Sequence, residues 1–235
     1  MNLEIPYYLS LAFLIAIGAP IYMIANLAKK YTQQPRSKTL FYGIIIFYSL
    51  YLLSVAIATI NGVFAEISVP PKIIKLTTLP LLLFLLGFVS NTKFYRGLLK
   101  AIPVDQLILI HRFRLIGSFF IVLMLLNLLP KTFALIAGLG DIITALSSIW
   151  IAKFIREKRN GASKLALAWN TFGFLDILIT SATAIILTRL SIETGAFGVD
   201  VLTIFPFCFI PAFAPATIIF LHISIYRKLL VKKFH

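Results

Sequence analysis

Negative charge is scarce in this sequence. Its 235 residues carry 8 Asp and Glu against 22 Lys and Arg, and 13% are charged, about half the ~25% of an ordinary soluble domain. Cysteine is almost absent. Cys208 stands alone, so an intrachain disulfide is impossible and a cysteine-based metal cluster is excluded by count. No internal repeat marks a duplicated architecture. What fills the chain is apolar: 60% of the residues are hydrophobic, and the mean hydropathy is +0.98. A soluble domain of this length has too little interior to hide that much apolar surface. A soluble globular enzyme, a disordered chain and a disulfide-stapled secreted domain are therefore excluded.

A helix that crosses a bilayer takes ~20 mostly apolar residues. Seven runs qualify, at approximately 5–27, 39–62, 73–92, 107–129, 132–152, 165–188 and 201–225. The fold class is all-α: one transmembrane helical domain over 1–235, a polytopic bundle of seven helices. The opening Met1-Asn2-Leu3-Glu4 lacks the basic stretch of a cleaved leader, so the first run is expected to stay as a span. Basic residues gather in alternate loops: Lys29, Lys30, Arg36 and Lys38; Lys93, Arg96 and Lys100; Lys153, Arg156, Lys158, Arg159 and Lys164; Arg227, Lys228, Lys232 and Lys233. Sixteen lie on that side, and four (Lys72, Lys75, Lys131 and Arg189) on the other. The bias places the N-terminus outside and the C-terminus in the cytoplasm. The net charge of +14 is then a matter of topology. It does not point to nucleic acid, because no loop is long enough to build a reading module. The composition suggests the bacterial cytoplasmic (inner) membrane.

Several spans carry helix breakers: Gly18 and Pro20 in the first, Pro80 in the third, and Pro206, Pro211 and Pro215 in the last. Each proline frees a carbonyl that a neighbouring helix or water must satisfy. Three in one span predict a bent or broken helix.

Two acids fall inside spans, where a charge is expensive and marks function more often than chance. Asp141 lies about 14 Å from one face and Asp176 about 17 Å from the other at 1.5 Å per residue, so both sit near the midplane. Each shares a helix face with small or polar residues: Ala134, Gly138, Asp141, Ala145 and Ser148 in span five, and Trp169, Gly173, Asp176, Thr180 and Thr183 in span six. Small residues let membrane helices approach closely. Arg114, about 9 Å in from its face, is the natural counter-charge, with snorkelling to the headgroups as the alternative. His111, Arg114 and Ser118 share one face of span four at α-helical spacing, and Arg112 is expected to snorkel. One acid is expected to pair with Arg114, and the other to hold a proton. His222, near the inner end of span seven, reads either as an interfacial histidine or as a ligand or proton carrier. Asn170 lies between it and the acids in depth. Trp169 is either an aromatic-belt residue or a pocket wall. Convergence of Arg114, Asp141, Trp169, Asn170, Asp176 and His222 would make a polar column from the inner surface to mid-membrane.

Three chemistries compete for these residues. Gly138-Leu139-Gly140-Asp141 and Pro211-Ala212-Phe213 resemble elements of the presenilin-type intramembrane aspartyl proteases, which need two facing aspartates that share a proton. Here Asp176 follows the G-x-G-D element, the reverse of that family's order. Asp141, Asp176 and His222 could supply two carboxylates and an imidazole to a metal. His111 and His222 both lie toward the inner side, which leaves haem open. Retinal is disfavoured, because span seven has no lysine at its middle.

A second resemblance rests on longer runs: Arg114-x-x-Gly117, Leu129-Pro130-x-x-Phe133-Ala134, Ala137-Gly138-x-Gly140-Asp141 and Trp169-Asn170-x-x-Gly173-x-x-Asp176, with a proline-rich last span bearing His222. Over about residues 106–228 the chain resembles a family of small bacterial integral membrane proteins with no assigned activity. His111 stands where that resemblance implies a glutamine. The expected function is an integral membrane binding or transport protein with an intramembrane polar site, coupled to protons or to a small molecule or lipid. The alternatives are an intramembrane enzyme on a lipid or peptide, with Asp141 and Asp176 as the catalytic acid/base pair, and a structural or accessory subunit.

Overall fold

A computed structural model describes residues 5–231. Met1 to Glu4, Lys232 and Lys233, which entered the readings above, lie outside the described residues. The chain is all-helical, with 81% of it in helix and no strand among the described residues. Among the described residues, seven helices are long and apolar enough to cross a membrane: α1 Tyr7–Lys30, α2 Arg36–Ile60, α3 Ile74–Asn91, α4 Val104–Leu125, α5 Lys131–Arg156, α6 Ala162–Thr194 and α7 Phe209–Leu230. Each lies over one of the seven apolar runs. A short helix, Lys93–Ala101, connects α3 to α4, with the Thr92 hydroxyl capping the Tyr95 amide at 3.1 Å. With seven helices, the start of α1 and the end of α7 lie at opposite ends of the bundle. These are called the N-side and the C-side.

Where the helices deviate from the sequence reading, the cause is local. The first span breaks at Ile17, before Gly18 and Pro20, as a proline near the start of a helical segment requires. Around Pro80, α3 takes two π-helical stretches, Ile74–Thr78 and Phe84–Phe88. The sixth helix runs 33 residues, between Gly161 and Gly195, both at positive φ (78° and 70°), where only glycine is unstrained. The last helix corrects the expectation of a span broken by three prolines. Pro206 precedes it, Pro211 falls in its first turn, and only Pro215 is interior. Pro215 has no N–H for the Pro211 carbonyl four residues back. Thr78 of α3 supplies the missing donor at 2.6 Å.

Packing places the two acid-bearing helices side by side. The fifth helix lies between α4 and α6, α6 packs on α7, and α7 also touches α2, α3 and α4. The first helix pairs with α2 and leans on the middle of α4. The main apolar core is rich in aromatic rings: Phe13 lies 5.3 Å from Phe119 and 4.9 Å from Phe207, and Phe120 lies 5.5 Å from Phe133. A smaller core, with Ile108, Ala152, Ala166, Trp169 and Ile225, lies toward the C-side. The polar residues of the bundle interior sit between the two.

Candidate functional site

The site is built on a stretch of α4 that is not α-helical. Ile110–Gly117 winds as a 3₁₀-helix, far longer than the three or four residues usual for that form. With three residues per turn, positions i, i+3 and i+6 align. His111, Arg114 and Gly117 therefore form one buried line, and Ser118 is exposed. The expected face of His111, Arg114 and Ser118 is corrected accordingly. The same winding rises ~2.0 Å per residue instead of ~1.5 Å. Together with the earlier helix start at Val104, it places Arg114 about 17 Å along α4, nearly twice the depth expected from its position in the run.

Arg114 is completely buried, so it does not snorkel. Its Nε donates to Asp141 Oδ1 at 2.6 Å, and one terminal nitrogen donates to Asp176 Oδ2. The other contacts the Gly173 carbonyl at 3.1 Å and His222 Nε2 at 3.2 Å. One guanidinium thus joins α4, α5, α6 and α7. The expectation of one paired and one unpaired acid is corrected, since both carboxylates rest on Arg114. Asp141 and Asp176 are each 8% exposed.

His222 is also fully buried, which removes the interfacial reading. It sits well inside α7 because the apolar run from 201 does not start a helix until Phe209. Arg114 can only donate, so His222 Nε2 accepts and its proton is on Nδ1. Nδ1 then donates to Asn170 Oδ1 at 2.8 Å, while the Asn170 amide donates to the His222 carbonyl at 3.1 Å. Trp169 lies beside the ring at 5.9 Å and donates to Ser147 Oγ at 2.9 Å. Arg112 is exposed and bonds only the Leu109 carbonyl, at 3.2 Å.

Sequence reasoning undervalued His111. It is completely buried, 4.3 Å from the His222 ring and edge-on to Trp169 at 5.4 Å. Neither of its ring nitrogens has a hydrogen-bond partner, and neither has the Thr144 hydroxyl. Buried polar atoms are nearly always paired, so these are exceptions in an otherwise bonded cluster. The roles of three glycines were also missed. A Cβ at Gly117 would run into Asp141, one at Gly140 into the Asp176 carboxylate, and one at Gly173 would lie 2.7 Å from the His222 ring. Asp141, Asp176 and His222 each fill a notch left by a glycine on the facing helix. The signal was present in the spacing, since Gly117, Gly140 and Gly173 each stand next to or three residues from a charged member.

Several chemistries fit this geometry poorly. The two carboxylates do not share a proton in the manner of an aspartyl dyad, because a guanidinium bridges them. That same cation fills the point on which Asp141, Asp176 and His222 converge, which a metal would need. Among the described residues no group of three His, Cys, Asp or Glu side chains is placed to hold a metal. The rings of His111 and His222, 4.3 Å apart, leave no room for a porphyrin between them.

A cavity of about 230 Å³ opens on the network. Arg114 and Asp141 form its polar end. Its remaining walls are nearly all apolar, with Ile17, Phe113, Phe120, Phe213 and Ile218 among them. Its rim includes Leu79 of α3 and Leu178 of α6, both exposed, so it reaches the lipid-facing surface between those helices. The Thr180 hydroxyl on its wall has no partner.

The fold and this network define an integral membrane protein of seven helices with a buried arginine–aspartate–histidine cluster. The chain belongs to the family described as Domain of unknown function (DUF8737), whose model matches residues 72–230. The match contains the stretch singled out by its motifs and reaches back through α3, which the motif reading had left aside. No curated protein and no solved structure matches.

Proposed function

We propose that this is a binding or transport protein of the bacterial cytoplasmic membrane, with its N-side outside and its C-side in the cytoplasm. The ligand is a lipophilic molecule with a polar end. It enters laterally from the bilayer between α3 and α6 and places that end against Arg114 and Asp141. One observation carries the reading: an apolar cavity open to the lipid-facing surface ends on a charged network. The network sets the polarity of the ligand. Arg114 spends most of its N–H groups within the cluster. Of the two carboxylates, Asp141 lines the cavity, and its Oδ1 accepts from Arg114. With one cation against two carboxylates, the site offers acceptors, and it suits an amine, a hydroxyl or a proton.

The opening of the cavity onto Arg114 and Asp141 themselves favours this reading over a purely structural one. Thermal unfolding of the purified protein with decylamine, decanol and decanoate tests it. Decylamine and decanol are expected to raise the unfolding temperature and decanoate is not. Ala214→Phe, which fills the cavity from the side away from the network, is expected to abolish the effect. Equal stabilisation by all three compounds, or an unchanged response in Ala214→Phe, would refute the reading.

A further inference from the structure

A second pair of cavities lies at the C-side, and no residue lines both it and the cavity described above. The first is an apolar groove of about 310 Å³. Its walls include Ile44 and Phe47 of α2, Phe84 and Leu85 of α3, and Phe94 and Leu98 of the connecting helix. The second is a polar hollow of about 560 Å³, lined by Gln33, Gln34, Arg36 and Lys93. Phe94 and Leu98 line both, so the groove and the hollow adjoin at these two side chains.

The charge of the hollow is unbalanced. Arg36 and Lys93 are exposed and make no ion pair with any described residue. Between residues 5 and 104 the one acid is Glu66, which is already bonded to Lys72. The groove also has space to spare. A Cβ at Gly43, on the groove, or at Gly97, on the hollow, would meet nothing within 4 Å.

We propose that the groove and hollow together hold one anionic glycerophospholipid. An acyl chain lies in the groove between α2, α3 and α7, and the phosphate rests on Arg36 and Lys93, with Gln33 and Gln34 donating to its oxygens. Two features select this occupant. Two unpaired cations at the membrane boundary attract an anionic headgroup, and an apolar channel leading from them into the bundle fits a chain joined to that headgroup. A soluble phosphate would use the hollow and leave the groove empty. A zwitterionic lipid would use the groove and gain little from the hollow.

The test is native mass spectrometry of the full-length protein, released from nanodiscs of equimolar phosphatidylglycerol and phosphatidylcholine. One phosphatidylglycerol is expected to be retained in preference. The double variant Arg36→Gln/Lys93→Gln is expected to lose that preference, by about fivefold for each cation removed. Gly43→Leu fills the groove from a position with free space, and is expected to lose retention of both lipids while eluting as a folded monodisperse species. Lys164→Gln, in the first turn of α6 at the C-side, is expected to behave as the wild type. Equal retention of the two lipids by the wild type, full preference in the double variant, or displacement of the lipid by inorganic phosphate would each overturn the proposal. The double variant decides the matter even if Gly43→Leu fails to fold.

Discussion

The second helix and the fourth are both apolar spans, yet they are held by different means. The apolar window of α2 is 22% buried, and that of α4 is 50% buried. Contacts of α2 are apolar and include ring pairs, such as Phe47 on Phe84 at 5.4 Å and Tyr48 on Phe213 at 5.1 Å, with Tyr51 donating to the Ala212 carbonyl at 3.0 Å. The fourth helix carries a wholly buried guanidinium bonded to three other helices, and its neighbours are cut back to glycine where they meet the network. Lipid tails are as apolar as leucine, so apolar contact alone does little to choose among helix neighbours in a bilayer. A buried charge has few acceptable partners, and it specifies them. The family match begins at residue 72, so it contains every member of the charged network and leaves out α1 and α2.

Substitutions can break or sharpen this contrast. The largest effect is expected from Arg114→Ala, which strands two buried carboxylates and should cost ~3–5 kcal/mol, seen as loss of the monodisperse folded peak in detergent. A well-folded Arg114→Ala protein would mean that the network does not hold the bundle. Next comes Gly140→Ala. Its added methyl meets the Asp176 carboxylate, and overpacking of this kind costs ~1–3 kcal/mol, measured as a shift in denaturant midpoint. Trp169→Phe removes the bond to Ser147 and keeps most of the ring, so the loss should be ~0.5–1.5 kcal/mol. The smallest change is expected at Leu50 of α2, which is 61% exposed. Leu50→Ala should stay within ~0.5 kcal/mol, and a loss as large as that of Gly140→Ala would erase the distinction between the two helices.

Much of this was legible in the residues. Hydropathy places all seven helices, because length and apolarity are what crossing a bilayer demands. The small-residue face of α5 is buried as its spacing implies, from Ala134 through Gly138 and Asp141 to Ser148. Periodicity could not show departures from the α-helix. The depth of Arg114 and the alignment of His111 with it depend on a 3₁₀ stretch that no composition announces, and the place of His222 depends on a helix that begins at Phe209 inside a longer apolar run. Hydropathy measures what a segment can dissolve in, and it is blind to how that segment is wound.

That winding shapes the whole of α4. Eight residues turned at ~120° each, where an α-helix would turn them at ~100°, accumulate ~160° of additional rotation. Positions three apart therefore stay aligned, and Ile108, His111, Arg114, Gly117 and Phe120 keep one side of the helix turned to the bundle. Leu107 and Ile108 join the core around Trp169, and Phe120 and Leu123 join the aromatic core beyond the network. Without that half revolution, one end of the same sequence would point its packing face at the fatty acyl phase. The tight segment keeps a single rod in register with two separate neighbourhoods.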